Sequence, residues 1–442
     1  MSTTTPTPRI AIIGAGPVGL TLAAILHRNG INAAIFERET SATARAQGGT
    51  LDIHAETGQR ALAAAGLLDE FRKVARPDAD AARVVKRDGT VLLDENEEPS
   101  PPDMEEEGRG RPEVDRRALR DLLLKALPEG MVRWGRGIAA VEPVTGSKRW
   151  TLRFLDGGNG DGDNAQIKDD EGPYDLVLGA DGTWSRVRSL LTDARPRYSG
   201  VTMLDVSISP PALEQRPDVK AFIGRGSCFM FDKDRALIFQ RQGTGGARCY
   251  ACLKTGVEVP GARALIDVDG AGADVRVQGD GDVEWTDDQT RTRFVDRHFS
   301  DYIPEAREAL LAMTDTPVLR PLYMLPVGLR WDARPGVSLL GDAAHAMTPF
   351  AGVGVNVGMV DALELAEGIV RFVENDEGKR KGEADGGSEG DELARVLRTY
   401  EEGMFERSSR DAERTAMALD IQFREDGGET MVKIMSGGGP PA

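Results

Sequence analysis

The sequence predicts an α/β protein in which a parallel-sheet unit is interrupted by an inserted, mainly antiparallel β-sheet and followed by a long C-terminal helix. Three observations carry this expectation. Near the N-terminus a β-rich run, a glycine-rich turn, a helical pattern and a second β-rich run follow one another. Between residues 201 and 325 the pattern changes to short apolar runs separated by Gly-rich turns. Towards the end, Leu393, Val396, Leu397, Tyr400 and Met404 recur at helical spacing and make one apolar face.

In order along the chain, residues 9–13 form the first strand, 17–28 a helix, and 31–37 a second strand after the breaker Asn29-Gly30, which together make a βαβ unit. Residues 116–127 read as a helix that Asp115 caps, and 175–178 as a buried strand leading into Gly179. In the inserted sheet, 236–240 and 248–253 are strands, and Gly243-Thr244-Gly245-Gly246 between them is a hairpin turn. A strand at 337–340 precedes a Gly-rich turn that opens a helix over 354–373. Segments 156–172, 267–282 and 374–391 are rich in Gly and acidic residues, have too little apolar surface to offset ordering, and read as solvated loops. No repeat of fixed period occurs, which argues against a solenoid or propeller.

A chain of 442 residues favours two or more intertwined domains. Its net charge of −17 argues against nucleic acid or an anionic membrane as partner, because both reward Lys/Arg-rich surfaces. The three cysteines, Cys228, Cys249 and Cys252, are too few for a disulfide framework, and a reducing cytoplasm fits best. Cys249 and Cys252 form a CxxC, but on a strand rather than at a helix N-terminus, and no second pair accompanies them, so no metal site is expected. Residues 10–26 are apolar, yet three glycines interrupt them and no cationic segment leads them; no run approaches ~20 apolar residues, so no membrane span is expected.

Gly14-x-Gly16-x-x-Gly19 follows a strand, opens a helix whose first residue is Pro17, and precedes Glu37 at the end of the next strand. In such a Rossmann-like unit the first glycine permits the tight turn, the second lets the backbone approach a pyrophosphate, and the third allows close helix packing. The helix N-terminus then stabilises phosphate, and Glu37 accepts from a ribose hydroxyl. No second motif of this kind exists, so a separate nicotinamide domain is not expected.

Two further motifs follow: Gly179-Ala180-Asp181-Gly182 with Ser185-Arg186-Val187-Arg188, and Gly341-Asp342-Ala343-Ala344-His345 with Pro349-Phe350-Ala351-Gly352-x-Gly354-x-Asn356. Together the three resemble the fingerprints of the FAD-dependent aromatic-hydroxylase family, the group A flavoprotein monooxygenases. Between them, Gly48-Gly49-Thr50-Leu51-Asp52-Ile53-His54 and Pro112-Glu113-Val114-Asp115-Arg116-Arg117-Ala118-Leu119-Arg120 look like segments of the tetracycline-inactivating monooxygenases of that family. The resemblance implies FAD as cofactor, held by Glu37, Arg38, Asp52, Arg116 and Asp342, with Arg120 assisting from the same helix face and Asn356 in the third motif. It implies NADPH or NADH as donor, with Arg45 beside it. Gly352 and Gly354 would let a second helix N-terminus approach the flavin N1–O2 edge, where charge develops on reduction. Asp181 is either a contact to FAD and donor or a turn residue, and His345 reads as a hydrogen-bonding, structural histidine.

By the same resemblance Asp205, Cys228, Met230, Phe239, Cys249 and Pro349 fall at substrate-pocket positions. Three of them differ from the tetracycline enzymes: Asp205 replaces a glutamine, Cys228 an arginine and Cys249 a histidine. This loss of polar partners points to an apolar or aromatic substrate instead. The implied domains are FAD-binding over 1–82, 111–195 and 326–375, substrate-binding over 83–110 and 196–325, and a C-terminal helix over 388–430. The expected function is a monomeric, cytoplasmic monooxygenase using NAD(P)H and O2 to hydroxylate or epoxidise a small aromatic or polycyclic molecule through a flavin C4a-hydroperoxide, with the flavin and no side chain carrying the chemistry. A flavin-dependent dehydrogenase or reductase, or a non-enzymatic FAD-binding redox module, are the alternatives.

Overall fold

The computed structural model describes residues 7–44, 48–96, 110–155, 167–259, 265, 277–278, 282–283, 285, 287–379 and 389–437. Among these, five strands form a parallel sheet in the spatial order Val337–Leu339, Leu176–Gly179, Ile10–Ile13, Ala33–Phe36, Val132–Arg133. Ile10–Ile13 is buried at every position, as a central parallel strand covered on both faces must be. The helices Pro17–Arg28 and Gly354–Lys379 pack together within the same core as this sheet. An antiparallel sheet of Ile138–Pro143, Trp150–Leu155 and Ile167–Tyr174 shares that core, with the Phe36 and Phe154 rings 5.1 Å apart. Residues 167–172, 277–278 and 282 are strand, and 374–379 and 389–391 helix, where the acidic, Gly-rich composition reads as loop; residues 156–166 lie outside the described residues, as do most of 267–282 and all of 380–388.

The inserted sheet has seven strands among the described residues, in the order Val318–Met324, Arg197–Ile208, Ala247–Lys254, Arg235–Arg241, Ser227–Asp232, Ala82–Val85, Val91–Asp94. Its pairings are antiparallel except between Ser227–Asp232 and Ala82–Val85. Period-2 alternation gives it two different faces. One packs Leu204, Val206, Cys228, Met230, Leu237, Phe239, Cys249 and Ala251 against residues of Pro217–Ile223, Asp288–Phe299 and Pro304–Leu311. The other packs Val201, Met203, Phe231, Ala236 and Cys252 against Phe350, Leu419 and Phe423, and so faces the parallel-sheet unit.

The long helix Glu389–Gln422 buries Leu393, Leu397, Tyr400 and Met404, and its polar residues hold the third glycine motif in place. The Tyr400 hydroxyl donates to the Leu339 carbonyl at 2.8 Å, the Glu401 carboxylate accepts from Ser338 at 2.8 Å and Trp331 at 3.0 Å, and Gln422 donates to the Phe350 carbonyl at 2.8 Å. Asp361, on Gly354–Lys379 and with 0% of its surface exposed, is the centre of this arrangement. Its carboxylate accepts from the Gly341 backbone N–H at 2.9 Å, meets His345 Nε2 at 2.6 Å and pairs with Arg407 at 2.8 Å. Burial opposes ionisation there, but the His345 and Arg407 charges outweigh it and hold the carboxyl below its ordinary range. His345 is thus hydrogen-bonded through Nε2, as its position in the turn suggests, while its Nδ1 is buried without a partner.

Removing one member of a buried ion pair leaves the others uncompensated. Asp361→Ala is expected to lower unfolding stability by on the order of 3–5 kcal/mol. Urea titration followed by circular dichroism measures it, and a loss below about 1 kcal/mol contradicts the role of Asp361 as the hub.

Candidate functional site

The three glycine motifs meet at one edge of the parallel sheet. Gly14 has φ +108°, and a Cβ on it would lie 2.3 Å from the Ala180 carbonyl oxygen, so the first turn can sit on the second only with glycine there. A Cβ on Gly19 would lie 2.2 Å from the Gly14 carbonyl oxygen, whereas one on Gly16 would meet nothing within 4 Å. Two glycines thus serve backbone packing, and the middle one opens onto free space. Gly16 is also the N-cap of Pro17–Arg28, which has no side-chain cap, so that helix end presents its uncapped first turn to the opening.

Glu37, 9% exposed, accepts from the Ala15 N–H at 2.8 Å and the Glu39 N–H at 2.9 Å, and so fixes the turn against the end of the second strand. Arg38 beside it is exposed. The Arg116 side chain is exposed, and its backbone N–H donates to Gly49 at 3.1 Å. Asp115 occupies the N-cap position before Arg116–Lys125, but its carboxylate does not cap the helix. It accepts instead from Arg76 at 3.2 Å and from the Gly243 N–H at 3.2 Å. Asp342 opens the short helix Asp342–His345; it is exposed, yet enough protein surrounds it that burial raises its carboxyl pKa, opposed by His345 and Arg116. Arg116 is thus near enough to Asp342 for its charge to act on that carboxyl.

On the third motif Gly352 takes φ +66°, with Asp52 Oδ1 3.8 Å from where its Cβ would be, and Gly354 begins a long helix with nothing within 4 Å of its own Cβ position. Asp52 meets His54 Nε2 at 2.9 Å. Two residues expected to touch a ligand are consumed by the fold. Asn356, 1% exposed, donates to the Asp52 carbonyl at 2.8 Å and accepts from the His54 N–H at 2.9 Å and the Thr57 hydroxyl at 3.2 Å. Arg120, 3% exposed, reaches the Ala15 carbonyl at 3.3 Å, the Ala42 carbonyl at 3.3 Å and Glu39 at 2.9 Å. Asp181 accepts from the Arg186 N–H at 2.8 Å, as a turn residue does, while its Oδ1 is buried without a partner. Arg45 lies outside the described residues.

The six expected pocket residues divide by sheet face. Cys228, Met230, Phe239 and Cys249 are 0–1% exposed on the face covered by helices, where burial pushes the Cys228 thiol up to about 12, and they are core residues rather than pocket lining. Asp205 lies on the opposite face, and Pro349 is exposed at the start of the turn that leads to Gly352. A slip of one residue along a strand exchanges the faces, so the residues that point towards the glycine motifs are the neighbours Arg248 and Tyr250. A Cβ on Gly48 would lie 1.7 Å from Arg248 Nη1, and one on Gly49 would lie 2.3 Å from the Tyr250 hydroxyl. The strand Ala247–Lys254 carries the signal itself: small or apolar residues occupy one parity, and Arg248 and Tyr250 the other. Cys249 and Cys252 consequently sit on opposite faces.

Glu113 is a further group that sequence reasoning passed over. The ribbon Thr50–Asp52 with Glu113–Asp115 places Glu113 directly opposite Asp52, and both point away from the buried Leu51 and Val114. Its Oε2 is buried without a partner. Burial raises its carboxyl pKa to about 7, with Asp52 adding to the shift and the Thr50 hydroxyl opposing it.

Comparison with known proteins follows the same three motifs. The family described as "FAD binding domain" matches residues 7–227 and 330–382. The monooxygenase asqM of Emericella nidulans is 30% identical over 97% of this chain and 98% of its own, and the monooxygenase penA of Penicillium thymicola 29% identical over 97% and 98%. Among solved structures, Klebsiella pneumoniae HpxO complexed with FAD and uric acid superposes with TM-score 0.66 at 19% identity, covering 97% of this chain and 92% of that one. The tetracycline destructase Tet(55) superposes with TM-score 0.65 at 17% identity, covering 98% and 95%. The likeness to tetracycline-inactivating enzymes is therefore one of several of equal strength and does not single them out. No described helix is long and apolar enough to cross a membrane.

The raised Glu113 pKa has a definite sign in stability. Because the folded value of about 7 exceeds the ordinary 4.5, the folded state binds more protons between those pH values, and stability falls as pH rises through that window. Glu113→Gln removes the titration. It is expected to match the wild type near the bottom of the window and to exceed it by on the order of 2 kcal/mol above it, in thermal unfolding across the pH range. A difference independent of pH contradicts the shift.

Proposed function

The chain belongs to the FAD-binding, group A flavoprotein monooxygenase family, and we propose that it uses NAD(P)H and O2 to hydroxylate or epoxidise a small aromatic or polycyclic molecule. The observation that carries this reading is the convergence on one crevice of two helix N-termini, at Gly16 and Gly354, with Glu37, Asp52, Arg116 and Asp342. A flavin dinucleotide presents a pyrophosphate, two polyol segments and a ring whose edge becomes anionic, and these residues match it group by group. The free space at Gly16 fits close approach of a diphosphate to a helix end that lacks a side-chain cap.

In this reading Gly14, Gly16, Pro17 and Gly19 form the phosphate cradle, Glu37 and Arg38 flank the adenosine end, and Arg116 and Asp342 hold the middle of the cofactor. Gly352 and Gly354 aim the second helix N-terminus at the ring edge, with Asp52 beside them. Arg120 and Asn356 act one step back, as struts of the walls. Bound FAD supplies hydride acceptance from the donor and activation of O2. The chain's own tasks are orientation and exclusion of water, and the inserted sheet supplies the cover through Arg248 and Tyr250 over Gly48 and Gly49. The donor approaches without a dinucleotide domain of its own, and we place Arg45 on its path. The low cysteine count fits a cytoplasmic site, and a single chain contains every group named.

Two measurements test the reading. In the first, protein is incubated with NADPH, 18O2 and a panel of phenols, aromatic acids and quinolones; a product carrying one labelled oxygen atom is expected. Turnover with an artificial electron acceptor but no label in any product identifies a reductase instead. In the second, Arg116→Ala is expected to weaken FAD binding about tenfold or more while leaving the circular dichroism spectrum unchanged, since a charge-assisted hydrogen bond is lost from an exposed side chain. Unchanged affinity on titration of the apoprotein removes Arg116 from the cofactor site.

A further inference from the structure

The ribbon of Thr50–Asp52 with Glu113–Asp115 carries a row of charge that cofactor binding uses only at one end. The Ile53 N–H donates to the Pro112 carbonyl at 3.1 Å and the Arg116 N–H to the Gly49 carbonyl at 3.1 Å, so the ladder bonds alternate past Asp52 and Glu113 and leave these two as a non-hydrogen-bonded pair. In such a pair the Cα atoms are only about 4.5 Å apart and the side chains stand closest. On its other edge Glu113 is bridged to Arg76: its carbonyl accepts from the Arg76 N–H at 2.7 Å, and its N–H donates to the Arg76 carbonyl at 3.3 Å. Residues directly opposite one another share a face, so Asp52, Glu113 and Arg76 lie side by side.

The neighbouring cation does not neutralise Glu113. Arg76 Nη2 goes to Asp115 at 3.2 Å and Nη1 to the Arg241 carbonyl at 3.2 Å, and the Gly243 N–H, on the hairpin turn of the inserted sheet, also goes to Asp115. Glu113 is left with the Thr50 hydroxyl as partner and with Oε2 buried and unbonded. The groups acting on its charge are Thr50, Asp52 and Asp115 of the ribbon and Arg76 beside it. A carboxyl buried next to a second carboxylate, with its nearest cation spent elsewhere, keeps its proton up to about pH 7, and burial is the largest cause. Asp52 is placed differently. It is partly exposed, meets His54 Nε2 at 2.9 Å and lies beside Gly352 of the third motif, and His54 is partly exposed in turn.

Oxygenation consumes a proton. The donor's hydride supplies two electrons and one proton; one atom of O2 enters the organic molecule, and the other leaves as water after taking that proton and a second one from solvent. A site that excludes water has to import the second proton. We propose that Glu113, Asp52 and His54 are its path: Glu113 holds the proton, Asp52 passes it to the turn at Gly352, and His54 reloads the pair from solvent. This rests on the monooxygenase reading and deepens it, by giving the chain's own side chains a task in the proton balance that the bound cofactor does not cover.

The proton can be followed without any organic substrate. In protein labelled with 13C-glutamate and saturated with FAD, NMR is expected to show a side-chain carboxyl that titrates with a midpoint at about 7, is missing in Glu113→Gln and moves down in Asp52→Asn. In a second measurement, FAD-loaded protein reduced with dithionite is mixed with O2 alone, which leaves as hydrogen peroxide with two electrons and one proton from the reduced cofactor and one proton from solvent. Glu113→Gln is expected to slow this reoxidation by about tenfold or more, as loss of a positioned acid does. Glu113→Asp or added imidazole should restore part of the rate, and His54→Gln should slow it in dilute but not in concentrated buffer. No glutamate titrating near neutral pH, a midpoint indifferent to Asp52→Asn, or a reoxidation rate unchanged in Glu113→Gln overturns the proposal. Both measurements need only bound flavin, so their failure is distinguishable from failure of the monooxygenase reading, which the labelled-oxygen experiment decides separately.

Discussion

The whole site depends on one close approach between backbones, the seating of the Gly14 turn on Ala180. Only a residue without Cβ and with φ near +108° brings the first turn that near the end of the neighbouring strand. The parallel register of Ile10–Ile13 with Leu176–Gly179 then delivers both turns to the same edge of the sheet. Val18, the second residue of the first helix, meets Gly341 of the third motif and Gly358 just beyond it, so that the three motifs, far apart in sequence, lie close together. A larger side chain at these contacts would separate the helix N-terminus from the residues that complete the crevice.

Backbone contact places the motifs, and buried charge holds the third of them. Ala343 and Ala344 of the Gly341–His345 turn are buried in the main core, and the turn is further fixed through Asp361 to the C-terminal helix by Arg407. That helix lies beyond the residues that match the family, yet Tyr400, Glu401 and Gln422 bond to the strand and turn that present Asp342 and Gly354, and Arg407 bonds to Asp361 and Glu364 on the helix that Gly354 begins. Its function is mechanical: it braces the crevice wall from behind. Isolated ion pairs of this kind are weak evidence for stability, but one that links three segments selects a single arrangement of them.

The inserted sheet turns one face towards the glycine motifs, and the parity of its strands decides which side chains lie on that face. Four apolar or thiol side chains lie against the covering helices, while Asp205, Arg248, Tyr250 and Arg320 face the glycine motifs. A shift of one residue along these strands exchanges the two faces, which is why Arg248 and not Cys249 lies beside Gly48.

What the sequence determined by itself is local. The glycine spacing, the helix at Pro17–Arg28, the acidic residue at the end of the second strand and the apolar stripe of the last long helix are set by backbone freedom and period, and the structure contains each of them. Composition was a poorer guide, since residues 167–172 are strand despite their Gly and acidic content: edge pairing with Trp150–Leu155 supplies what their side chains do not. Only the tertiary structure decided which polar groups remain free. Arg120 and Asn356 have the right chemistry for a ligand but are consumed by neighbours 105 and 304 residues away, whereas Arg116 and Arg320 keep unshared donors. Whether a side chain is spent on the fold or left for a ligand depends on partners brought together by packing, and sequence separation carries no record of that.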